Sequence, residues 1–132
     1  MTPELMYLLW SAALTLLLAV LAVLGAMLQV GLPRLAGNRE DMPEIIGWAG
    51  RARRAHFNML ESLVLFAILV LTARAVGIRN EMTLLGAQPF FWGRAAHAVI
   101  YIAGVPWLRT GAWAVSIAGL ALIFWQLTRA WF

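Results

Sequence analysis

Residues 5–33 read LMYLLWSAALTLLLAVLAVLGAMLQVGLP, with no charged side chain among them. An α-helix rises 1.5 Å per residue, so about 20 apolar residues cross the hydrocarbon layer of a bilayer. This run suffices for one crossing with some excess. Pro3 and Glu4 suit a first helical turn, where proline gives up only an orphan donor and an acidic group meets the positive end of the dipole. Gly31 and Pro33 mark the end. The run follows Met-Thr-Pro-Glu, lacks a basic leader and exceeds the roughly 7–15 residue core of a secretory signal. It therefore reads as a retained span.

Working outward, a polar loop from Arg34 to Gly50 holds Gly37, Asn38, Arg39, Glu40, Asp41 and Pro43. A second helix follows, charge-free from Ser62 to Ala73 and ending at Arg74 and Gly77. The third apolar stretch carries one charge, Arg94. Pro89 leaves it two possible starts, near Gln88 with the proline in the first turn, or near Asn80 with the proline inside the helix. Gly104 and Pro106 end it, and a fourth span closes at Arg129. Lipid offers the backbone no hydrogen bonds, so only helices and closed barrels cross it, and these runs lack the alternation of barrel strands. The expected fold is all-α: an integral membrane four-helix bundle, up-down-up-down, in a single domain over residues 1–132, with spans at about 5–33, 48–76, 82–104 and 110–129.

Composition agrees. Of 132 residues, 63% are hydrophobic and 12% charged, and mean hydropathy is +0.82. A soluble domain has roughly half its residues apolar and a quarter charged, so lipid must cover the surplus here. The net charge of +4 comes wholly from arginine. These arginines punctuate apolar runs and form no solvated patch, which favours membrane orientation and an anionic ligand over nucleic acid. The loops on one side hold Arg34, Arg39, Arg51, Arg53, Arg54 and Arg109; those on the other hold Arg74, Arg79 and Arg129. The positive-inside rule places the first and third loops in the cytoplasm and both termini outside. Trp10, Trp48, Trp107 and Trp131 fall near span ends, as interfacial aromatics do, while Trp92, Trp113 and Trp125 read as packing residues. With no cysteine there is no disulfide, thiolate metal site or cysteine nucleophile, so thiol chemistry needs a thiol supplied by a ligand. The two histidines, His56 and His97, show no metal-type spacing.

Two polar stripes stand out. Arg51, Arg54, Asn58 and Glu61 are spaced three, four and three apart on the second helix. Arg94, His97 and Tyr101 are spaced three and four on the third. Antiparallel packing brings both stripes to one side of the membrane, where Arg109 follows in the next loop. A charge near mid-span costs roughly 2.5–3.5 kcal/mol even on lenient insertion scales, so these groups are expected to face the bundle and find partners. Taken singly, each has a bland reading: an Arg94–Glu61 pair gluing helices, an interior histidine, a packed tyrosine, snorkelling Arg51 and Arg53. Together they leave one carboxylate, Glu61, among Arg51, Arg54, Arg94 and Arg109. That excess of positive charge asks for an anion.

The run from Arg51 to Leu63, RARRAHFNMLESL, resembles the second-helix signature of the MAPEG family, the membrane-associated proteins in eicosanoid and glutathione metabolism. Its core pattern stands as Arg54, Ala55, His56, Asn58 and Glu61. The third-helix pattern stands as Arg94, His97 and Tyr101, and an Arg–hydroxyl pair follows as Arg109–Thr110. The resemblance implies a homotrimer binding glutathione between subunits at the cytoplasmic face, in a bacterial-type inner-membrane protein. Arg51, Arg54, Asn58, Glu61, Arg94, His97 and Tyr101 would hold the peptide. Arg109 and Thr110, with Tyr101, would sit at its thiol. The implied activity is transfer of glutathione to lipophilic electrophiles, or reduction of hydroperoxides, with membrane lipids as surroundings and no metal. Phe57 stands where some members carry a further Arg, Met59 where Asp is frequent, and Arg109 comes one residue early.

Two other functions compete. Some members of this family bind lipid or glutathione without catalysis. A small four-span multidrug exporter matches in size but needs an acid embedded in its first span, and residues 5–33 contain none.

Overall fold

A computed structural model describes all residues, 1–132. The chain forms α1 (Pro3–Val30), a short α2 (Leu32–Ala36), α3 (Gly47–Ala75), α4 (Glu81–Ala103) and α5 (Pro106–Arg129), with no strand. Local chemistry sets the ends. Thr2 caps α1 by accepting the Leu5 N–H. Gly31, at φ 84°, breaks the path into α2, a single turn started by Pro33 that straddles the expected end of the span and start of the loop. Asn80 caps α4 in a reciprocal box with Thr83, which settles its start on the Asn80 side and leaves Pro89 inside the helix. Gly104, left-handed at φ 86°, ends α4.

The fourth helix starts earlier than expected. Pro106 occupies its first turn, so Arg109 lies on α5 beside Thr110 and not in a loop. Only Gly104 and Val105 separate it from α4.

Three helices, α1, α3 and α5, are long and apolar enough to cross a membrane. The polar side chains of α4, with Gln88, Arg94 and His97 among them, set it apart. Nevertheless α3 and α4 are the inner pair: each touches the other and both outer helices, whereas α1 and α5 do not meet. The core between them stacks Phe66 on Phe90, ring centroids 4.0 Å apart, with Leu18, Met59 and Ile123 around it. Outside lies a broad apolar shell including Leu16, Leu28, Val64, Val99 and Phe124. It is far more than a soluble monomer exposes. Trp92, Trp113 and Trp125 belong to this shell, which corrects their reading as packing residues.

α4 and α5 approach closely through small residues. A Cβ on Gly119 would stand 2.5 Å from the Gly86 carbonyl oxygen and 2.9 Å from the Phe90 nitrogen, both backbone atoms that cannot swing aside. Gly119→Ala is therefore expected to destabilise the fold by about 1–3 kcal/mol. The check is the thermal unfolding midpoint in detergent. Gly111→Ala, where an added Cβ meets nothing within 4 Å, should leave that midpoint unchanged or raise it.

Candidate functional site

The site grows from the junction of the inner helices. Arg94 is 1% exposed. Its Nη2 donates to Asn58 Oδ1 at 2.7 Å, and its Nε donates to Met59 Sδ at 3.4 Å. Two consecutive residues of α3 thus hold the guanidinium, while its Nη1 is buried with no partner. One turn along α4, His97 is also buried, and its Nδ1 has no partner either. Orphaned buried polar atoms typically cost about 1–3 kcal/mol each, and they are rare without a reason.

The column continues toward the α4–α5 turn. Tyr101 meets His97 edge to face, centroids 5.4 Å apart. Arg109 lies over the other aromatic partner of that column, with Cζ 4.4 Å from the Tyr101 ring centroid. Arg51 Nε donates to the Ile102 carbonyl at 2.8 Å, tying the start of α3 to the last turn of α4. That bond confirms the antiparallel placement of the two stripes at one end of the molecule.

The α3 stripe itself is turned outward. Arg54 and Glu61 are exposed and Asn58 is half-buried, which corrects the expectation that all these charges face the bundle. The buried line on α3 runs Ala52, Ala55, Met59, Ser62, Phe66, Val70 and Ala73. It has the same three-and-four spacing, one residue further along and hence about 100° round the helix. Arg94 consequently turns to Asn58 and Met59, not to Glu61. Thr110 is exposed too, its hydroxyl donating to the Pro106 carbonyl at 3.2 Å within its own helix.

Two contributions escaped the sequence reading. Met59, standing where Asp is frequent in the family, is buried and supplies a sulfur acceptor to Arg94. His56 Nδ1 lies 3.2 Å from the Thr15 carbonyl and joins α3 to α1. Ser11 and Thr15 hydroxyls already donate to carbonyls one turn back, and that polar step in an apolar helix was the available signal. Arg53, off the stripe, lies over the exposed Phe57 ring at 5.6 Å.

Long apolar helices and a lipid-type exterior around the buried Arg94 define a multi-pass integral membrane protein. Residues 5–129 match the model of the MAPEG family, and the chain belongs to it. No curated protein and no solved structure matches the chain significantly.

Proposed function

We propose that this protein is a glutathione-dependent transferase or peroxidase of the bacterial inner membrane. It acts as a homotrimer of four-span subunits, with one site per subunit interface at the cytoplasmic face. The observation that carries the reading is the pair of buried, partnerless nitrogens, Arg94 Nη1 and His97 Nδ1, beside Asn58. Such atoms await a polar ligand. Glutathione brings two carboxylates and one ammonium, which suits several arginines and the single carboxylate of Glu61. The outward position of Arg54 and Glu61 fits a site completed by a neighbouring subunit, since a charge left facing lipid is expensive.

Within that site, Arg54, Asn58, Glu61 and Arg94 bind and orient the peptide. Arg51 fixes the helix ends around it, and Arg109, steadied by Tyr101, places positive charge at the thiol end. Bound glutathione supplies the sulfur nucleophile. A fixed cation favours its thiolate at neutral pH, and the apolar exterior brings the electrophile in from the bilayer.

Titration of glutathione into detergent-solubilised protein, followed by calorimetry, tests the reading. Binding is expected for the unmodified chain, with roughly tenfold or greater weakening in Arg54→Ala and Glu61→Ala. Absence of binding by the unmodified protein would end it. The second reading is a binding-only member of the same fold, and the apolar Phe57 next to the stripe favours it. Turnover of chlorodinitrobenzene or a lipid hydroperoxide separates the two.

A further inference from the structure

The opposite end of the bundle holds a second polar enclosure. Glu4, in the first turn of α1, is 7% exposed. Its Oε1 accepts a hydrogen bond from Thr83 Oγ1 at 2.7 Å, and Thr83, itself 1% exposed, is fixed by the Asn80 capping box. Glu4 Oε2 is buried with no partner. An acidic residue in a first turn normally stays solvated, where the dipole already favours it. Burying one with an unsatisfied oxygen adds nothing to the helix start.

Glu4 and Thr83 line a cavity of about 250 Å³, together with apolar Val70 and Ile123 and with Arg74 and Arg79. Both arginines are exposed and neither donates a hydrogen bond to Glu4. Along α3, Arg74 lies 16 residues beyond Asn58, about 24 Å at 1.5 Å per residue. This is therefore not the site of Arg94 and His97. The enclosure offers one acceptor within and two cations on its exposed side, at the end of a membrane-crossing helix where lipid head groups lie. Its volume is below the roughly 300 Å³ at which drug-sized pockets begin, so it takes a small polar group.

We infer that this cavity binds a phosphoethanolamine head group, with the ammonium donating to Glu4 Oε2 and the phosphate facing Arg74 and Arg79. A primary ammonium has the N–H that the orphan oxygen needs. The quaternary ammonium of choline has none. The head group can come from a bilayer lipid or from a soluble phosphoethanolamine, and both present the same atoms.

The test uses the full chain in nanodiscs of mixed phosphatidylethanolamine, phosphatidylcholine and phosphatidylglycerol, extracted gently and read by native mass spectrometry. Ethanolamine lipid should be retained about tenfold over choline lipid, the effect of one charge-assisted hydrogen bond at a buried site. Glu4→Gln keeps the acceptor for Thr83 but presents an amide donor to the ammonium, and should erase the preference. Arg74→Gln with Arg79→Gln, at exposed positions, should lower retention of both lipids. Displacement by soluble glycerophosphoethanolamine would identify the head group alone as sufficient, while a preference that survives it would identify the membrane lipid; either supports the site. Equal retention of the two lipids by the unmodified chain overturns it. So does an ethanolamine preference that persists in Glu4→Gln, or phosphatidylglycerol retained as strongly as the ethanolamine lipid.

Discussion

Arg94→Leu is expected to weaken glutathione binding by roughly 10- to 100-fold while leaving the fold intact. The guanidinium is 1% exposed, held by Asn58 Oδ1 at 2.7 Å and Met59 Sδ at 3.4 Å, with Nη1 unused. If those two contacts were its whole purpose, Arg94 would be a helix fastener. Removing it takes this donor from the Asn58 oxygen, at a cost of about 1–3 kcal/mol whichever role Arg94 plays. Stability therefore does not discriminate between the two roles, but ligand binding does. Loss of one charge-assisted hydrogen bond from Nη1 removes about 1.5–3 kcal/mol of affinity, which is the expected weakening. The measurement is the thermal midpoint with and without glutathione. A ligand present at a hundredfold its Kd stabilises by about 2.7 kcal/mol, and about 1.3–2.3 kcal/mol of that gain should vanish in Arg94→Leu. Arg94→Leu protein that folds and still responds fully to glutathione would make Arg94 a fastener only.

What the sequence made legible, and what it hid, follows from which physics was local. Span ends were readable where caps are local: Gly31 and Gly104 each impose a backbone choice that needs no knowledge of neighbours, whereas Pro89 left the start of α4 open between Gln88 and Asn80. The grouping of Arg94, His97 and Tyr101 was readable for the same reason, since 3.6-residue periodicity alone puts them on one face. Periodicity does not say which face turns inward. On α3 two stripes of identical spacing run side by side, one through Asn58 and one through Met59, and burial went to the second. The rule that intramembrane charges turn inward speaks of the finished assembly, so a single chain with Arg54 and Glu61 exposed does not break it. The early start of α5 was missed by treating Pro106 as a terminator, although proline serves equally well in a first turn. Glu4 was taken only as a helix-start residue, because its burial depends on Thr83 and the end of α3, far away in sequence.

Arg109→Gln is expected to lower kcat/KM for conjugation by roughly 10- to 100-fold with little change in the KM for glutathione. Arg109 is held by the Tyr101 ring at 4.4 Å, and Tyr101 by His97, so its charge is fixed at the end of the column that begins with Arg94. A fixed cation stabilises the thiolate more than the thiol, and each pKa unit corresponds to about 1.4 kcal/mol of that difference. A loss of one to two units gives the stated range. Because Arg109 acts on sulfur and not on the peptide carboxylates, binding should survive, unlike in Arg94→Leu. The direct readout is thiolate absorbance in the near ultraviolet on adding glutathione. The unmodified protein should show it at neutral pH, and Arg109→Gln should need a pH one to two units higher to reach the same amplitude. Tyr101→Phe keeps the ring under the guanidinium but removes the hydroxyl, and should behave much like the unmodified chain. The opposite pattern, thiolate lost in Tyr101→Phe and retained in Arg109→Gln, would make the phenol the group at sulfur and reduce Arg109 to a lid over its ring.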